Sequence, residues 1–132
     1  MGQVSDARGY LVDEAEVEAH GGTADTVTER VTIDSSTGCE RLEQRVLRFG
    51  PGVSRERLDP AKHHVLYVAS GHGTLWLDGA PHELEPNVGV FVAAGERWAV
   101  ENANGAPLLV VDAAAPAEHP ACLLYTSDAA DE

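Results

Sequence analysis

The sequence predicts an all-β fold, a sandwich or barrel of short strands, on three observations. Strand signals rich in β-branched and aromatic residues recur at short spacing from Thr26 to Asp112. Turn chemistry separates nearly all of them. Two runs, Val65–Val68 and Gly89–Val92, carry apolar residues on both parities, as strands do when their second face meets another sheet or subunit.

Taken in order, residues Met1 to Gly22 are acidic, and Asp13–Glu18 offers at most a turn or two of helix before Gly21 and Gly22. This stretch predicts an irregular N-terminal arm over residues 1–24. Thr26–Ile33 is rich in β-branched residues and predicts a strand, and the small polar residues of Asp34–Gly38 predict the turn after it. Further strands are expected over Arg41–Phe49, Val53–Leu58, His64–Ser70, Thr74–Asp78, His82–Leu84, Val88–Val92, Arg97–Glu101 and Leu108–Asp112. Between them, Gly50–Gly52, Ser70–Gly73, Asp78–Gly79, Glu85–Asn87 and Asn102–Gly105 supply residues that accept positive φ or fix a turn. The barrel is therefore placed over residues 25–113. Residues 114–121, rich in Ala and Pro, read as the start of a linker.

With 132 residues and 43% apolar composition, the chain builds one ordinary core and has no room for a second complete domain. Its 9 basic against 22 acidic residues give a formal charge of −13, which repels phosphate backbones and anionic membrane surfaces. Neither nucleic acid nor membrane is expected as a partner. No run approaches the roughly 18 apolar residues of a bilayer span, and the N-terminus lacks the basic-then-apolar order of a signal peptide, so a cytoplasmic location is expected. Cys39 and Cys122 are too few for a disulfide framework and read as unpaired thiols. The stretch Cys122–Glu132 closely resembles the translation of a sequencing-library adapter, which sets residues 122–132 outside fold reasoning. The chain is then expected to be a truncated fragment of a longer protein.

Gly52, the stretch His64–Leu75 with Gly71 inside it, and the stretch Leu84–Gly95 together resemble the two halves of the cupin superfamily's double motif. The match covers about the middle half of the chain. It implies a single jelly-roll-like β-barrel of two antiparallel sheets with an open-mouthed cavity, often paired as a homodimer. It also implies a metal site of two His, a Glu and a third His, a donor set suited to Fe, Mn, Ni or Zn. On the positions of this sequence those ligands fall at Arg57, Asp59, His64 and Trp98, while Asn102 matches the asparagine that closes the second half of the motif. An arginine cannot be deprotonated to bind a cation, and an indole N–H only donates. Of the four, His64 and Asp59 alone could ligate, so no metal cofactor is expected. His63 should face away from His64 by strand alternation, and His72 and His82 sit beside turns.

The replacements have a character of their own. Arg57 suits a carboxylate or phosphate, Trp98 offers a flat wall or cation-binding face, and His64 titrates near neutral pH. Together they suggest a pocket for a small organic acid or sugar. The competing arrangement has Trp98 filling the barrel and Arg57 paired with Asp59. No catalytic residue is assigned, and no second residue that would orient His64 is evident. The leading expectation is a non-catalytic or ligand-binding module, by resemblance one barrel of a longer two-barrel protein. The alternative is a divergent metal-dependent enzyme, of dioxygenase or isomerase type, built around His64.

Overall fold

Alternation of apolar residues decides which face of each strand turns inward. In the computed structural model, which describes residues 9–21 and 25–117, Leu47 and Phe49, Leu66 and Val68, Trp98 and Val100, and Leu108 and Val110 all point into one core. Each pair is two residues apart on its own strand, as the period of a pleated strand requires. The strands form two antiparallel sheets. The six-stranded sheet has the order β1 (His20–Gly21), β2 (Val27–Ile33), β3 (Glu43–Phe49), β11 (Leu108–Pro116), β6 (Lys62–Ser70) and β9 (Gly89–Val92). The second has the order β4 (Gly52–Val53), β10 (Arg97–Asn102), β7 (Gly73–Leu77) and β8 (Ala80–Leu84), with β5 (Arg57–Leu58) also paired to β10. The all-β expectation of two antiparallel sheets in a jelly-roll-like barrel holds.

Most strand ends shift by one or two residues from those expected, and three regions differ in more than that. The strand foreseen over Val53–Leu58 is two short strands, because Ser54 leaves the ladder and turns inward. Its N–H donates to the Val100 carbonyl at 2.8 Å and its hydroxyl accepts the Val100 N–H at 3.0 Å. The first residues of the linker foreseen from residue 114 are strand: β11 continues to Pro116, pairing Ala114 with both Glu43 and His64 and Pro116 with Lys62. Alanine and proline composition misled there, since small side chains also fit a strand held between two neighbours. In the arm, Asp13 caps a single helical turn, Glu14–Glu16, by accepting the Ala15 N–H at 3.0 Å, and β1 adds two residues to the sheet edge. The tail expected over 122–132, the rest of the linker, and residues 1–8 and 22–24 of the arm lie outside the described residues.

Turn chemistry holds where it matters for register. Asp78 and Gly79 both have positive φ, 49° and 85°, the conformation a two-residue hairpin between β7 and β8 requires. Gly71 has φ of 92°, and a Cβ there would lie 2.6 Å from the Pro107 carbonyl oxygen, so no other residue fits without moving the backbone. On the outer face of the six-stranded sheet, Val65, Tyr67 and Phe91 remain exposed. No helix among the described residues is long and apolar enough to cross a membrane.

Candidate functional site

The inward parity of the six-stranded sheet is apolar at one end of the barrel and charged at the other. Glu29 on β2 alternates with Val27, Arg45 on β3 with Leu47, Asp112 on β11 with Val110, and His64 on β6 with Leu66. Register sets these groups side by side. Arg45 is the cross-strand partner of Asp112, and Asp112 is that of Leu66, which puts His64 one inward step further along β6. From the opposite sheet, Arg57 pairs directly with Trp98. Its guanidinium carbon consequently lies 5.5 Å from the centre of the indole ring, within cation–π range.

His64 is held on both edges. Its Nδ1 is 2.8 Å from Asp112 Oδ1 and its Nε2 is 2.8 Å from Asp59 Oδ2. Asp112 is nearly buried, with a side chain 5% exposed, whereas the Asp59 side chain is 32% exposed. Burial disfavours the charged ring, but the hydrogen bonds to Asp112 and Asp59 and the charges of both outweigh it, so the His64 pKa is raised. For Asp59, burial raises the pKa. The bonds from His64 and the Ala61 N–H, together with the charges of His64 and Lys62, outweigh that effect and hold the carboxyl below its usual range. Whenever the ring is protonated, each of its nitrogens has a carboxylate oxygen at 2.8 Å to donate to.

Around this core runs a chain of ion pairs. Arg45 donates to Glu29 and Glu43, both at 3.0 Å, and Arg57 donates to Glu29 at 3.0 Å. The Glu29–Arg57 pair joins β2 to β5 and the His64–Asp59 pair joins β6 to the residue after β5, so charged contacts tie the two sheets together at this end. They enclose a cavity of about 170 Å³ lined by Arg45, Arg57, Leu58, Asp59, His64, Trp98 and Asp112. Shallower clefts of about 510 and 600 Å³ run beside β8. We regard the smaller cavity as the candidate site, because it contains the buried titratable groups.

Four of the five residues singled out in the sequence therefore meet: Arg57, Asp59, His64 and Trp98. Asn102 does not. It is fully buried at the far end of β10, where its amide donates to the Phe49 and Ala106 carbonyls at 3.0 and 2.9 Å and its oxygen accepts the Asn104 N–H at 2.9 Å. Asn102 fastens the turn after β10 and does not line the pocket. Of the competing arrangement, one half is seen and one is not: Trp98 is packed in the barrel core at 3% exposed, but Arg57 turns to Glu29 and Asp59 to His64 instead of to each other. The residue that orients His64, not evident in the sequence, is Asp112. The available signal was a charged residue on the apolar parity of a strand, which Asp112, Arg45 and Glu29 all show. As expected, His63 faces away from His64, and its Nδ1 accepts the Ala94 N–H at 2.9 Å.

The family model described as a cupin domain matches residues 45–114, more than half of the chain. The chain belongs to the cupin family. Solved cupin-fold structures share the architecture at low identity. A predicted oxalate decarboxylase from Thermotoga maritima aligns with a TM-score of 0.72 at 13% identity, covering 80% of this chain and 98% of that one. The polyketide cyclase RemF from Streptomyces resistomycificus gives 0.70 at 22% identity, covering 83% and 80%. An RmlC-like cupin from Shewanella frigidimarina gives 0.67 at 14%, covering 85% and 95%. At these identities the likeness concerns the fold alone. No curated protein matches the chain.

The metal site that the cupin motif implies does not fit the residues this cupin carries. On the spacing read from the sequence, two of its four positions fall at Arg57 and Trp98, which cannot ligate. The His64 ring has a carboxylate on each nitrogen. Among the described residues, no three His, Cys, Asp or Glu side chains converge to hold an ion.

Proposed function

We propose that this cupin binds a small polar organic molecule at the mouth of its barrel without a metal ion. The Arg57 guanidinium, the Trp98 indole and the His64 ring form the contact surface. The observation that carries this reading is the double engagement of His64, 2.8 Å from a carboxylate on each side, beside the Arg57–Trp98 stack in one cavity. A polar, partly enclosed site with fixed donors and one aromatic wall is the usual chemistry of small-molecule recognition. The cavity is below the roughly 300 Å³ at which drug-sized pockets begin, which limits the ligand to a compact molecule.

The test has two arms. Mass spectrometry of protein purified without a metal-affinity tag, before and after exposure to excess iron, manganese, nickel and zinc, is expected to find no near-stoichiometric metal. The Trp98 indole N–H resonance, assigned with a Trp76→Phe variant, is then followed by NMR while acetate, pyruvate, glucose and uridine are added. At least one probe is expected to move it in the wild type and to lose that effect in Arg57→Ala. If none does, the reading fails.

The catalytic alternative rests on Asp112. A buried carboxylate that fixes Nδ1 is the support a metal-ligating imidazole commonly has. A transition metal bound near-stoichiometrically, and lost in His64→Ala, would make the chain a metalloenzyme candidate. Cupin-fold neighbours described as a decarboxylase, a cyclase and a sugar phosphate isomerase show the breadth of chemistry one barrel supports.

A further inference from the structure

The two carboxylates on His64 are not equivalent. Asp112 lies within β11, paired on both sides by β3 and β6, with its side chain nearly buried. Asp59 follows the two-residue strand β5, lies outside any ladder, and is a third exposed. It is anchored without the oxygen that meets His64: its backbone carbonyl accepts the Gly95 N–H at 3.0 Å and its Oδ1 accepts the Ala61 N–H at 3.0 Å. Only Oδ2 reaches Nε2, so that contact can be given up while the turn stays formed.

Charge decides what can replace it. The cavity wall carries two guanidinium groups, Arg45 and Arg57, and the titratable His64 ring, against the side chains of Asp59 and Asp112. Arg45 is already bonded to Glu29 and Glu43, but of the Arg57 guanidinium nitrogens only Nη2 has a partner among the described residues. If Asp59 leaves Nε2, that nitrogen and the part of the Arg57 guanidinium not bonded to Glu29 line the same small cavity, with Asp112 as its remaining carboxylate. A guanidinium edge matches a carboxylate bidentately, and Nε2 already holds one at hydrogen-bonding distance.

We propose that Asp59 is a built-in occupant of a carboxylate site, and that the ligand of this pocket is a compact organic acid whose carboxylate takes the place of Asp59 Oδ2 on His64 while pairing with Arg57. This inference rests on the metal-free binding reading above and adds to it the ligand class and the exchange that admits the ligand. The Asp59 contact satisfies His64 Nε2 and helps join the two sheets. On binding, the ligand assumes both roles.

The experiment compares acetate and pyruvate with glucose in the wild type, Asp59→Asn and Asp59→Ala, with Kd read from the Trp98 indole resonance. Asp59→Asn retains an oxygen to accept the Ala61 N–H and so preserves the turn, but removes the competing anion. It is expected to bind both acids about tenfold more tightly, the effect of removing one charge-assisted competitor. Glucose affinity should not change. Asp59→Ala should show the same preference, together with an acetate-dependent rise in melting temperature larger than that of the wild type. Unchanged or weaker acid binding in Asp59→Asn would overturn the exchange. A response to glucose but to neither acid would overturn the ligand class and leave the binding reading standing. Silence from every probe in all three proteins would remove both.

Discussion

His64 combines burial with a charge, and the balance has a pH signature. Its pKa is raised in the folded protein, so the stability gained from its carboxylate partners is complete below the ordinary imidazole value and is lost as pH rises through the higher folded value. The Asp59 pKa is lowered, so its share is present above the ordinary carboxylate range and is lost as pH falls through the lower folded value. The melting temperature measured by calorimetry should therefore be flat from about pH 4 to about 6.5 as far as this pair is concerned, then fall at higher pH. A His64→Gln variant should lack the high-pH decline. Asp112→Ala should cost about 3 kcal/mol in urea unfolding at pH 6, because it leaves a buried imidazolium with its inner partner removed. At this scale the sequence was legible for Arg57, Asp59, His64 and Trp98, whose places follow from spacing to Gly71 and Gly95. It was not legible for Asp112 or Arg45, whose roles depend on strands meeting across the sheet.

Each strand was readable wherever local chemistry alone determines it. The hairpin at Asp78 and Gly79 and the opposite facing of His63 and His64 on β6 needed no knowledge of neighbours. Where a neighbour decides, local reading failed. Val53–Leu58 has the composition of one strand, but Ser54 is drawn to Val100 and divides it. Ala114–Pro116 reads as a linker, but β3 and β6 on either side make it a strand. Asn102 shows the same limit, since its place in the motif said nothing of the three backbone groups it joins. Asn102→Ala should cost about 2 to 3 kcal/mol by leaving buried carbonyls unpaired. Binding of probes at Trp98, followed by NMR, should be unaffected. A loss of binding equal to the loss of stability would return Asn102 to the pocket.

Across the molecule, the sheet order β1-β2-β3-β11-β6-β9 puts the last described strand in the middle of the larger sheet. Composition and turn spacing indicated a sandwich or barrel and the cupin resemblance implied two sheets, but nothing local said that β11 would lie between β3 and β6. A chain ending at Ala117 is expected to fold, with dispersed amide resonances in NMR. One ending at Asp112 should melt at lower temperature, having lost the pairing of Ala113–Pro116, and one ending at Pro107 should give the circular dichroism of an unfolded chain. Folding should be slow for the size, in the millisecond-to-second range, because the pairing of Phe49 with Leu108 closes a long loop. The same topology bears on how the protein is made. On the ribosome, β3 emerges with one edge open and waits for its partner while the roughly sixty residues from Phe49 to Leu108 are added, on the order of 3–12 s at ordinary elongation rates. During that interval the unpaired edges of β3 and β6 are templates for strands of other nascent chains. The charged inward residues Glu43, Arg45 and His64 on those edges are then expected to act as gatekeepers against co-translational aggregation.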